Sequence, residues 1–142
     1  ISSGKPFMGI CLGLQLLFSK SEEFDDCEGI NIIDGKVESF SKYLPTQPIP
    51  HVGWNTVINH NPQNDNSSAL NNKIQFCDNQ YYYFVHSFFV KPDNKDHIFT
   101  KTCYVNFEFC SSVVVNNIFA CQFHPEKSGV RGLKIFKNFF EK

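Results

Sequence analysis

With 142 residues, 42% of them hydrophobic and 16 of them phenylalanine, the chain is long enough to bury one aromatic-rich core. A net charge of −1 with both signs mixed along the chain argues against nucleic acid or a strongly acidic substrate as a partner. No apolar run approaches membrane-spanning length and the first residues carry no signal-peptide pattern, so no membrane partner is expected either.

The first segment, residues 5–10 (KPFMGI), reads as a short buried strand, and residues 12–23 (LGLQLLFSKSEE) read as the first turns of a helix. Strand-like segments follow at 36–40, 51–58, 81–90, 101–107, 111–115 and 117–124, rich in β-branched and aromatic residues. Residues 59–72 (NHNPQNDNSSALNN) read as an exposed loop. The tail, 128–142, places Val130, Leu133, Ile135, Phe136, Phe139 and Phe140 at the spacing of an amphipathic closing helix. No internal repeat and no second domain is visible.

Six cysteines, at 11, 27, 77, 103, 110 and 121, include no C-x-x-C pair, so no zinc site of that kind and no metal or cofactor is expected. A chain of this size does not depend on disulfides, which points to a reducing compartment, cytoplasmic or plastid-like. Five of the six read as packing or surface residues. Cys11 differs, because it lies between Gly9 and Gly13 at the junction of the first strand and the first helix. A free cysteine is ordinarily a small hydrophobe. At a strand-to-helix junction it can instead be a nucleophile on a sharp elbow, the cysteine counterpart of G-x-S-x-G.

A nucleophilic thiol needs a base, and the base needs a group that holds its tautomer. The stretch FHPEKSG supplies His124 and Glu126, two residues apart on an extended segment and so on one side of it, with Pro125 restricting the backbone between them. At a helix start, Cys11 is expected to feel the positive end of the dipole, which favours thiolate. The backbone N–H of Leu12 is placed to stabilise a tetrahedral oxyanion, and Gly9 and Gly13 relieve crowding. Gln15 lies one helical turn beyond Cys11, either facing a substrate or solvated. One feature is out of place for an elbow. Its strand begins within a few residues of Ile1, whereas such a strand normally lies inside an open sheet with earlier neighbours. A piece of a longer protein is therefore expected.

The segments 4–18 (GKPFMGICLGLQLLF), 50–55 (PHVGWN), 81–88 (YYYFVHSF) and 119–139 (FACQFHPEKSGVRGLKIFKNF) resemble the class I glutamine amidotransferases. The elbow and the His-Pro-Glu stretch are common to that class. VGWN, YYFVHSF and HPEKSG..GL are more narrowly similar to the glutaminase component of imidazole glycerol phosphate synthases, in histidine biosynthesis. The resemblance implies an α/β fold, an open mixed sheet flanked by helices, of which residues 1–142 form one partial domain lacking the first strands and helices. It implies a triad of Cys11, His124 and Glu126 acting on L-glutamine through a glutamyl thioester. Gln15 and backbone groups of Ser87 and Phe88 would hold the substrate, Phe88 standing where many relatives have tyrosine.

The resemblance also implies that Trp54, Tyr83 and Lys127 face a (β/α)8 cyclase, fused or separate, to which the released ammonia passes. For Trp54 core packing is the competing reading, and for Lys127 a solvated charge. His51 and His86 read as structural histidines satisfied by backbone. In the family a glycine-rich loop on an earlier strand donates a second oxyanion N–H, and this chain starts after it. Residues 1–142 alone are accordingly expected to be poorly soluble and to show little glutaminase activity. Two other readings stay open: a non-catalytic amidotransferase-like interaction module, and a cysteine hydrolase acting on other γ-glutamyl compounds.

Overall fold

A computed structural model describes residues 1, 3–60, 70, 73–74 and 79–141. Most of the loop expected at 59–72, and Cys77, lie outside the described residues.

The chain forms one mixed sheet. The strands are β1 (Phe7–Ile10), β2 (Phe18–Ser21), β3 (Cys27–Glu28), β4 (Ile33–Ser39), β5 (His51–Asn59), β6 (Gln80–His86), β7 (Phe88–Pro92), β8 (Ile98–Tyr104), β9 (Phe107–Val115) and β10 (Ile118–Cys121). Helices α1 (Leu12–Gln15) and α2 (Gly129–Phe140) complete the described elements, with short 3-10 turns at Phe40–Lys42, Lys95–His97 and Pro125–Lys127. The main path through the sheet is β3-β2-β4-β7-β9-β8-β5-β6, and β10 joins β9 to β1. The pairs β1 with β10 and β2 with β4 are parallel, and the remaining pairs are antiparallel.

β10 is buried on both faces. Its alternating side chains divide between two apolar clusters, as the two-residue period of a strand requires. Phe119 and Cys121 join Phe40, Phe84, Phe89, Phe109, Phe123 and Ile135. Ile118 and Ala120 join Leu14, Leu17, Phe18, Ile33 and Val113. The aromatic-rich core expected from composition is the first of these.

Three expectations change at the level of elements. The helix expected over 12–23 stops at Gln15, and Phe18–Ser21 is a strand. Its Phe18 pairs with Ile33 of β4, a long-range partner that overrides local helical preference. The segment 81–90 is two strands broken at Ser87, because β6 pairs with β5 while β7 pairs with β4 and β9. The strand expected over 101–107 contains a two-residue turn. Val105 (φ 46°) and Asn106 (φ 64°) both take positive φ, as a type I′ hairpin turn requires, so Tyr104 faces Phe107.

The closing helix forms as expected, with a narrower buried stripe. Gly132, Ile135 and Phe139 are buried, with Phe136 half-buried, while Val130, Leu133 and Phe140 face outward.

Candidate active site

β1 and β10 run parallel, with Ile10 opposite Cys121. Both strands therefore release their next residues at the same end of the sheet, which is where sites form in open α/β sheets. β1 releases Cys11, and β10 releases Gln122, Phe123 and His124. No local sequence signal joins these two segments.

Cys11 has φ 52° and ψ −106°, a conformation that costs a non-glycine residue about 1–3 kcal/mol. Surrounding hydrogen bonds hold it there. Its N–H donates to the Cys121 carbonyl (2.8 Å), and its own carbonyl accepts from the N–H groups of Leu14 (3.0 Å) and Gln15 (3.2 Å). Gly9 makes the elbow sterically feasible, since a methyl there would lie 2.7 Å from the Gly13 carbonyl oxygen and 3.1 Å from Ala120 Cβ. A methyl on Gly13 would meet nothing within 4 Å, so of the two glycines only Gly9 relieves crowding.

The thiol lies beside β6, with its Sγ 3.9 Å from the Val85 carbonyl oxygen. Burial pushes its pKa above the ordinary 9.0, against smaller lowering by hydrogen bonds from the Leu12 N–H and the Gln122 side chain. The thiolate expected from a helix dipole is thus outweighed by desolvation. α1 has only four residues and contributes little dipole.

His124 is anchored to the same strand. Its N–H donates to the Tyr83 carbonyl (2.8 Å), two residues from Val85. Pro125 opens the 3-10 turn Pro125–Lys127, which brings Glu126 back to the imidazole with Nδ1 and Oε1 2.6 Å apart. The carboxylate accepts, so in the neutral ring Nδ1 carries the proton and Nε2 presents a lone pair. That Nε2 is buried and, among the described residues, has no hydrogen-bond partner. An imidazole whose tautomer is fixed and whose Nε2 lone pair is unengaged can act as a general base toward a proton brought within hydrogen-bond reach.

The His-Pro-Glu turn rests on residues that sequence reasoning missed. Ser128 Oγ donates to the His124 carbonyl (2.6 Å) and accepts from the Tyr83 N–H (3.0 Å). Gly132 of α2 lies so close that an added methyl would sit 1.9 Å from the Pro125 carbonyl oxygen. Both residues fall within the HPEKSG..GL stretch, yet only the contact identifies their work. Gln122 was also missed. It is fully buried, and its Nε2 donates to Cys11 Sγ at 3.5 Å while its Oε1 accepts from Gln15 Nε2 at 3.2 Å.

Gln15 is not solvated. It is 8% exposed, and its Nε2 also donates to the Phe88 carbonyl at 3.2 Å. Both amide hydrogens are therefore directed into the protein, so what it can offer a ligand is its carbonyl oxygen. Ser87 forms the break between β6 and β7, and its carbonyl accepts from the Phe40 N–H (3.0 Å). Trp54 and Tyr83 are cross-strand neighbours with ring centroids 6.1 Å apart, and Lys127 Nζ stands 5.9 Å from the Tyr83 ring centroid. Trp54 is 55% exposed, so the core-packing reading does not hold for it. These three residues form one cluster at the His-Pro-Glu turn, to which Lys127 itself belongs. Of the other cysteines, Cys27 and Cys103 are exposed and Cys110 and Cys121 buried, with burial pushing Cys110 up to about 12. Among the described residues no helix is long and apolar enough to cross a membrane.

Comparison with known proteins identifies the family to which the chain belongs. The family model described as glutamine amidotransferase class-I matches residues 1–142. Imidazole glycerol phosphate synthase subunit HisH of Pyrococcus furiosus is 45% identical over 139 residues, covering 98% of this chain and 66% of that protein. The protein of the same name from Chlorobaculum tepidum is 41% identical over 141 residues, covering 99% of this chain and 66% of its own length. The first of the curated relatives it matches are spanned by this chain over 62–66% of their length. The crystal structure of a putative GMP synthase component from Thermoplasma acidophilum aligns with TM-score 0.58 at 19% identity, over 94% of this chain and 55% of that one, which is a likeness of fold. On the match to the whole of its length and on these identities, the chain belongs to the class-I glutamine amidotransferase family.

Proposed function

We propose that the chain carries the glutaminase chemistry of an imidazole glycerol phosphate synthase: hydrolysis of L-glutamine to glutamate and ammonia through a thioester on Cys11. The observation that carries the reading is the pairing of two features at neighbouring strand ends. A cysteine sits on a strained elbow, and a histidine has Nδ1 held by Glu126 and Nε2 left free.

Because burial keeps Cys11 a thiol at rest, its proton must leave as it attacks. His124 Nε2 takes that proton while sulfur bonds to the carboxamide carbon of glutamine. The Leu12 N–H stabilises the oxyanion that results. Collapse breaks the C–N bond, and His124 returns its proton to the departing ammonia. Water then gives a proton to His124 and attacks the thioester carbon, and the Cys11 sulfur leaves and is reprotonated. Glu126 holds the tautomer throughout and stabilises the transient imidazolium. Gln15, through its carbonyl oxygen, and the backbone of Ser87 and Phe88 hold the substrate. Trp54, Tyr83 and Lys127 face a (β/α)8 cyclase that consumes the ammonia to make imidazole glycerol phosphate and AICAR. The setting is a soluble cytoplasmic or plastid enzyme.

The test is Cys11→Ala in the full-length protein with its cyclase. Glutamine-dependent synthesis is expected to vanish, and synthesis driven by ammonium salts to persist, since only the thioester step needs sulfur. Retention of glutamine-dependent turnover would sink the proposal. Loss of the ammonium-driven reaction as well would show that Cys11 serves structure rather than chemistry.

A further inference from the structure

Beyond the triad, the described chain buries two imidazoles against one another. His51 on β5 and His86 on β6 are cross-strand partners, 3% and 6% exposed, with His51 Nδ1 3.0 Å from His86 Nε2. Aromatic rings enclose them: Phe84 and Tyr104 stack on His51, and Phe40 and Phe109 pack on His86.

The partners decide every proton in the pair. His86 Nδ1 is 2.7 Å from the Phe88 carbonyl oxygen, which can only accept, so His86 carries its proton on Nδ1. Its Nε2 is then an acceptor, and His51 must donate from Nδ1. His51 Nε2 is left to accept from Asn55 Nδ2 at 3.2 Å, and that amide also donates to the Cys103 carbonyl at 2.9 Å. Both rings are neutral, with one tautomer each.

The Phe88 carbonyl is where this chain meets the nucleophile, because its second donor is Gln15 Nε2. Gln15 donates in turn to Gln122 Oε1, and Gln122 Nε2 donates to Cys11 Sγ. Hydrogen bonds thus link β5 to the thiol, with His86 and Gln15 both donating to the Phe88 carbonyl at the middle of the series. We propose that His51 and His86 are positioning residues for the nucleophile, fixing the Phe88 carbonyl and, through it, the orientation of Gln15 and Gln122 against Cys11. If filling the aromatic cluster were their whole task, phenylalanine would do it without burying polar nitrogens. Among aromatic rings only imidazole supplies a donor at one edge and an acceptor at the other. The inference rests on the glutaminase reading for its kinetics, but the placement of the thiol can be measured without turnover.

The experiment compares His86→Phe and His86→Asn in the full-length protein, with two readouts: glutaminase kcat and KM, and the pH profile of Cys11 alkylation by iodoacetamide. Phenylalanine fills the ring's space and deletes the donor to Phe88. Asparagine leaves a hole but places an amide N–H where Nδ1 was. A positioning role therefore predicts that kcat/KM falls about tenfold or more in the phenylalanine variant and recovers in asparagine. It also predicts that the alkylation profile moves to higher pH in the phenylalanine variant, as the Gln122 donor is lost from the sulfur. A packing role predicts the reverse order, with phenylalanine the milder change. Wild-type kinetics and an unshifted alkylation profile in His86→Phe would overturn the proposal. Should that variant fail to fold, His51→Phe removes the donor to His86 Nε2, loosens that ring against the Phe88 carbonyl, and must shift the profile in the same direction. A wild-type protein without glutaminase activity would refute the catalytic reading, and the alkylation profile would still decide the positioning one.

Discussion

The buried imidazole pair makes a quantitative prediction about acid stability. Burial lowers the pKa of His51 from 6.5 to about 4 and that of His86 from 6.5 to about 3. Below pH 6.5 the unfolded chain binds protons that the folded one excludes, so folding stability falls as pH falls. The loss continues until the folded pKa values are reached. At pH 5 each unfolded imidazole gains about 2 kcal/mol by protonation, and the pair together about 4 kcal/mol. That is a large part of the ~5–15 kcal/mol typical of a domain. Glu22, lowered by its hydrogen bond from Lys42, loses its contribution only below its ordinary 4.5. The assay is urea unfolding of the full-length protein at pH 7.5 and pH 5, beside the double variant His51→Phe/His86→Phe. Replacing both partners by apolar rings of similar shape is expected to be nearly neutral at pH 7.5. Between the two pH values, wild type should lose about 4 kcal/mol more than the double variant. Equal losses in the two proteins would refute the reasoning, because the proton uptake would then arise elsewhere.

Four further outcomes follow from the geometry and electrostatics of the site. Glu126→Gln keeps the shape but removes the charge from the 2.6 Å contact with His124 Nδ1, and kcat for glutamine should fall roughly a hundredfold or more. Unchanged turnover would place Glu126 outside the triad. Alanine at Gly9 forces a methyl against the Gly13 carbonyl and should cost about 1–3 kcal/mol in urea unfolding. Alanine at Gly132, closer still to Pro125, should displace α2 and lower activity with it, and wild-type stability in either variant would contradict the contacts described. Because the Cys11 pKa is raised above 9.0, the rate of its alkylation in the absence of substrate should still be climbing at pH 9. A plateau below pH 8 would indicate a resting thiolate and a different first step.

Much of the candidate site was legible in the sequence because it is local. G-x-C-x-G marks an elbow, since the chain must turn sharply there and Gly9 must let Gly13 approach. His124, Pro125 and Glu126 are covalently close enough that their pairing needs only one turn of backbone. The amphipathic period over 128–142 likewise belongs to a single helix. What the tertiary structure decided is which strand lies beside which. Phe18–Ser21 is a strand because β4 pairs with it, and residues 81–90 break at Ser87 because the chain changes neighbours there. The parallel pairing of β1 with β10 brings Cys11 to the end of the sheet from which His124 emerges. The register of β5 on β6 sets His51 against His86, and β10 carries Gln122 to the thiol. A histidine or glutamine in an apolar strand carries no sign of its partner. Its donor and acceptor acquire direction only when the register of a distant strand supplies the atom opposite.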